Sequence, residues 1–136
     1  MTTIHLIIVI GTGLLVLFAD EQAAAWVLGR EQTIPAGRIR FLHHSVATGL
    51  ALLLLTGGYL YWRAVPAYLT LTPFIVKMVA VGALILNTWA IDSFGSIATT
   101  RTFASLTHKE RLPLMISGAI SFIGWVTAIT CGIIIA

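Results

Sequence analysis

Apolar residues in this chain run together in four long blocks, broken by short polar stretches, instead of alternating with polar positions. A helix rises about 1.5 Å per residue, so about 20 apolar residues in a row cover the roughly 30 Å hydrocarbon core of a bilayer. The blocks predict membrane spans over 3–28, 38–63, 73–100 and 113–135. Their edges carry stop and start signals. Gly29-Arg30 closes the first, Gln32, Pro35 and Gly37 mark a polar turn, and Pro73 and Pro113 suit the first helical position of the third and fourth. The longest polar stretch, 97–112, has room for a short surface helix, and Thr107 and Glu110 show capping-box spacing beside the fourth span. Lipid offers backbone groups no water, so only helices and closed barrels cross it. The expected fold is therefore an all-α membrane protein, one domain over 1–136, with four transmembrane helices in an up-down bundle.

Composition removes the alternative of a soluble domain. Hydrophobic residues make up 58% of the chain and charged residues 10%, against about 25% charged in an average soluble domain. Four spans with their turns use the whole length. The single cysteine, Cys131, excludes an internal disulfide and a cysteine-based metal cluster. Met1-Thr2-Thr3-Ile4-His5 lacks the basic segment of a signal peptide and no small-residue cleavage site follows, so the first span is expected to be retained.

Charge then sets the orientation. The net charge is +3, and the eight Lys and Arg are unevenly placed: Arg30, Arg38, Arg40, Arg101, Lys109 and Arg111 lie in the first and third turns, with Arg63 and Lys77 on the other side. The positive-inside rule puts those two turns in the cytoplasm and both termini outside, the periplasm in a bacterium. Basic residues serve orientation here, and no nucleic-acid partner is expected. Tyr59, Tyr61, Trp62 and Tyr68 gather at the outer end of the second span, as in an interfacial aromatic belt.

The residues that carry chemistry are those out of place in lipid. Asp20 and Glu21 sit in the first span, His43 and His44 in the second, and Asp92 in the third, after Asn87 and Thr88. An ionisable group at the centre of a span costs about 2.5–3.5 kcal/mol on insertion scales, so it usually faces a partner or a wet cavity. Asp20 lies roughly 12 Å and His44 roughly 9 Å inside their cytoplasmic ends at 1.5 Å per residue, and Asp92 falls at a similar depth. Helical phase puts His5, Thr12, Gly13, Val16 and Asp20 on one face, and Ile85, Thr88, Asp92, Gly95 and Ser96 on another, so both acids are expected to point inward. In the second span His44 leads the stripe Thr48, Ala51, Leu55 and Gly58. His43 leads a second stripe, Ala47, Leu54 and Gly57, about 100° away; only one histidine can face the centre squarely. Ser117, Ser121, Gly124, Ala128 and Cys131 give the fourth span a face for close packing.

Plainer readings stand beside these. Asp20 and Glu21 can be solvated near the headgroups or paired with Arg38 or Arg40, the two histidines can hydrogen-bond at the interface, and Asp92 can bond Thr88. His108 reads as a solvated turn residue, His5 as interfacial, and Lys77 can snorkel outward.

Carboxylates with imidazoles are oxygen and nitrogen donors suited to iron, manganese, zinc or copper(II). The leading expectation is a transition-metal site of Asp20, His44 and Asp92, with Glu21 or His43 as further ligands or their hydrogen-bond partners. The same groups can relay protons, because histidine titrates near neutrality. Haem b is a third option through His43 or His44, and in this layer it needs a dimer that supplies one histidine from each copy. A structural subunit of a larger membrane complex is a fourth. The bilayer is the first partner, and a homo-oligomer or a larger complex follows from the small bundle.

The run Leu42-His43-His44, then Leu54-Leu55-Thr56-Gly57, then Thr72-Pro73-Phe74-Ile75-Val76-Lys77-Met78 up to Asn87 resembles a helix pair in small bacterial inner-membrane proteins of the CopD-like copper-resistance group. The resemblance covers the second and third spans, about 50 residues. It implies a polytopic protein of a bacterial inner membrane with a link to copper or haem. The Asp20-Glu21 pair has no counterpart in that pattern.

Overall fold

A computed structural model describes residues 2–68 and 72–135, with side chains up to 63 and again from 72. Among these the chain forms helices α1 (Thr2–Val27), α2 (Ala36–Tyr68), α3 (Thr72–Thr100) and α4 (His108–Ile135), with one 3-10 turn at Phe103–Ser105 and no strand. All four α-helices are long and apolar enough to cross a membrane. Large apolar side chains such as Ile7, Leu14, Leu55, Val79, Leu86, Ile123 and Ile133 stand on the outer surface. Helices apolar on every side are made for lipid contact.

Local chemistry explains where each helix stops and starts. At the end of α1, Gly29 takes a left-handed φ of 73°. Its N–H donates to the Trp26 carbonyl (3.1 Å) and that of Arg30 to Ala25 (2.9 Å), the paired bonds of a Schellman motif that favours glycine at this position. Helix α2 begins just after Pro35, whose carbonyl accepts from the N–H groups of Arg38 and Ile39. Buried Ile34 and, five residues on, Ile39 join one apolar cluster across that start, at the spacing of a hydrophobic staple. The helix continues to Tyr68, beyond the expected end at Arg63. Residues 69–71 of the link to α3, and the Tyr68 side chain of the expected belt, lie outside the described residues. In the rest of that belt Tyr59 and Trp62 are exposed, while Tyr61 stacks on Phe74 at 5.2 Å.

Helix α4 starts at His108 and contains Pro113, instead of starting at the proline. The capping pair decides this. The Thr107 N–H and hydroxyl both donate to Glu110 Oε2 (2.8 and 2.9 Å), and Arg101 Nη1 donates to Oε1 of the same carboxylate at 2.6 Å. These bonds fix the first turn before Pro113, which then removes one interior N–H without ending the helix.

Packing is tightest within two pairs, α1 with α2 and α3 with α4. A methyl on Gly49 would collide with the Thr12 side chain, and one on Gly124 would fall 2.8 Å from Leu84 Cδ2, so these glycines allow close helix approach. Asn87 Nδ2 donates to the Ser117 carbonyl (2.9 Å) and Ser117 Oγ donates to Asn87 Oδ1 (2.7 Å), a buried two-bond clamp between α3 and α4. All five small residues expected on the packing face of α4 are buried. Val16, Leu50, Leu84 and Trp125, one from each helix, make an apolar core. Trp26, Ile34, Ala98 and Leu106 make a second core under the turns. There the Ile34 N–H donates to the Ala98 carbonyl (2.9 Å), and the Trp26 indole donates to the Arg101 carbonyl (3.0 Å).

Candidate functional site

Each helix passes its polar groups through the bundle in the same order. Along α1 come His5, Val16 and Asp20; along α2, in reverse, Thr56, Leu50 and His43; along α3, Lys77, Leu84 and Asp92; along α4, in reverse, Cys131, Trp125 and Ser117. The central apolar core therefore separates two polar levels. The first, nearer the α1–α2 and α3–α4 turns, contains a cavity of about 220 Å³ lined by all four helices. Asp20, Gln22, His43, Thr88, Ser117 and Ser121 give it polar groups in an otherwise apolar wall.

The two histidines separate here. His43 lines the cavity with its ring mostly covered, and its Nε2 lies 3.7 Å from Oδ1 of Asp92, whose carboxylate is 78% exposed. This distance is outside direct hydrogen bonding, so the contact is an ion pair when the imidazole is protonated. His44 is exposed about 100° further round α2, in an open groove between α1 and α2 bordered by Gly11, Thr12, Thr48 and Gly49. The rings of His43 and His44 are 5.7 Å apart, edge to face. The polar stripe headed by His44 thus faces outward. The buried seam of α2 follows His43, Val46, Leu50 and Leu53, where apolar bulk outweighs small and polar character.

The remaining residues of the expected layer divide in the same way. Asp20 is half-buried against the cavity, and Glu21 is exposed. Among the described residues neither acid forms an ion pair; Arg38 instead donates to Gln22 Oε1 at 2.5 Å. Thr88 donates to the Leu84 carbonyl of its own helix (2.8 Å) and leaves Asp92 to His43. Asp20 and His43 line one cavity and Asp92, exposed outside that lining, lies 3.7 Å from His43, whereas Glu21 and His44 stand apart. Among the described residues no three His, Cys, Asp or Glu side chains gather in a way that could hold a metal ion. The expected set of Asp20, Glu21, His44 and Asp92 is not assembled, because neighbours in sequence on a helix point about 100° apart.

The second level was not expected as a site. His5 Nδ1 is 2.7 Å from Thr56 Oγ1, which bonds the Leu52 carbonyl at 2.8 Å. Lys77 is half-buried against α4: a methyl on Gly132 would sit 3.3 Å from its Nζ. The signal was present in the sequence, since Lys77, Ala80, Leu84 and Asn87 fall three, seven and ten residues along one helical stripe whose later members are all buried.

No family model, curated protein or solved structure matches the chain. The fold and the two polar levels define its class: an all-helical protein with four helices able to cross a membrane and with half-buried ionisable groups between them.

Proposed function

We propose that this chain is a multi-pass protein of a bacterial inner membrane, an up-down bundle with both termini periplasmic, that passes protons through the bundle by way of Asp92, His43 and Asp20. One observation carries the reading: the mostly covered imidazole of His43 lies 3.7 Å from the exposed carboxylate of Asp92 and lines the same cavity as half-buried Asp20. Exposed Asp92 exchanges protons with water. Histidine changes charge near neutral pH, and Asp20 can take the proton inside the cavity. The apolar core of Val16, Leu50, Leu84 and Trp125 lies between this level and His5, so passage requires that core to open or admit water. The six-to-two distribution of basic residues supports a cytoplasmic placement of the cavity end.

This reading takes the place of the metal centre because it uses only the groups that meet. A second reading keeps haem b, on the single observation that His44 is exposed on the bundle surface, where a second copy can bring its own His44. Reconstitution separates the two. Liposomes containing the purified chain and a trapped pH dye are predicted to dissipate an imposed pH gradient faster than empty ones, with no Soret band from the same preparation. A Soret band without proton flux supports the haem dimer.

A further inference from the structure

We propose that the cavity between the four helices binds a small primary amine with an apolar body, its ammonium held by Asp20. This rests on the reading above, in which Asp20 takes a proton in that cavity; the amine uses the same carboxylate in the proton's place. Charge sets the sign of the ligand. Asp20 and His43 are the ionisable side chains of the lining, and among the described residues no lysine or arginine joins them. Arg38, at the start of α2, is exposed and spends a donor on Gln22. His43 stands beside Asp92, so its charge, when protonated, has a partner there. Asp20 makes neither a hydrogen bond nor an ion pair among the described residues. A carboxylate between apolar helices needs a proton, water or a cation.

Three helices bring acceptors to one level. Asp20 follows Val16 by four residues, Thr88 follows Leu84 by four, and Ser121 precedes Trp125 by four, so each lies about one turn, roughly 6 Å, from the central core. All three line the cavity. Thr88 gives its hydroxyl hydrogen to the Leu84 carbonyl, and its oxygen remains an acceptor. Ser121 points to a ligand independently of charge: it is only 9% exposed, and its hydroxyl has no hydrogen-bond partner among the described residues. Buried hydroxyls normally find one. An ammonium carries three donors and no acceptor, which a carboxylate and two hydroxyl oxygens match. The rest of the wall is mostly apolar and includes the rings of Trp26 and Phe94, which suit both an apolar body and a positive charge. The volume of about 220 Å³ is below the roughly 300–1,000 Å³ of pockets for drug-sized ligands, so the body is one ring or a short chain.

Tritiated benzylamine, which is charged at neutral pH, tests this by equilibrium binding to the full chain in detergent, with protein-free micelles as background. Saturable binding is expected, with benzyl alcohol and methylammonium each competing at least about tenfold less well, the first for want of a charge and the second for want of a ring. Asp20→Asn keeps the size of the side chain and removes its charge, and should weaken binding by at least about tenfold; Ser121→Ala should weaken it by a smaller factor. Absence of saturable binding overturns the proposal. So does undiminished binding by Asp20→Asn, or benzyl alcohol or methylammonium competing as well as benzylamine, and the competitors decide on the wild-type chain alone should a variant misfold. Proton flux in liposomes is scored separately. Flux without amine binding overturns the amine site and leaves the relay standing, whereas binding without flux supports the amine site and overturns the relay.

Discussion

His43 Nε2 stands 3.7 Å from Asp92 Oδ1 across the α2–α3 contact, while His44, the next residue, turns its ring to the outer surface of the same helix. Two adjacent histidines thus have opposite surroundings, and the proposed relay assigns them opposite weight. The carboxylates differ too. Asp92 is exposed enough for water to replace it, whereas Asp20 faces the cavity. Asp92→Asn is expected to slow proton flux by less than about tenfold and Asp20→Asn by more, tenfold corresponding to about 1.4 kcal/mol on the barrier. Dye-reported flux at equal protein density checks this order.

The Asn87–Ser117 clamp predicts a stability effect independent of function. Its two bonds hold α3 against α4 at buried positions. Interhelical hydrogen bonds in membranes average about 0.6 kcal/mol and reach about 1.7. Ser117→Ala should destabilise the chain within that range. In combination with Asn87→Ala the loss should fall short of the sum, because the two residues share one contact. Denaturation with SDS in mixed micelles measures all three variants.

Close approach between helices gives a third expectation. Gly124→Ala and Gly49→Ala each force a methyl into a neighbouring side chain and should cost about 1–3 kcal/mol. Gly118→Ala meets nothing within 4 Å and should be tolerated. The contrast in the same denaturation assay isolates packing from helix propensity, which favours alanine at every one of these positions.

At the start of α4, Glu110 accepts from both Thr107 groups and from Arg101. Glu110→Ala should leave the rest of the bundle intact while increasing hydrogen exchange of the amides of residues 107–111. Glu110→Gln, which keeps acceptor capacity but loses the charge, should lie between the two.

Much of this architecture could be read from the sequence, and the misses share one physical cause. Long apolar blocks fix the number of spans, because the bilayer thickness is a hard requirement. The small-residue face of α4, with Ser117, Ser121, Gly124, Ala128 and Cys131, was readable because small residues pack in membranes as they do wherever helices touch. Helix ends moved where capping chemistry competed with proline: Thr107 and Glu110 set the start of α4 ahead of Pro113. Rotation about the helix axis was harder. With α2 apolar on nearly all sides, a one-residue error turned the seam by about 100° and exchanged His43 for His44. Depth was legible from position, whereas facing direction needed the neighbouring helices.

The central claim is that protons pass by His43 and not by His44. Proton flux into dye-loaded liposomes should be compared for the wild-type chain, His43→Gln and His44→Gln at matched incorporation. The account predicts flux in the wild type, little change in His44→Gln, and a fall of at least about tenfold in His43→Gln, or about 1.4 kcal/mol. Equal flux in all three, or loss confined to His44→Gln, would contradict it.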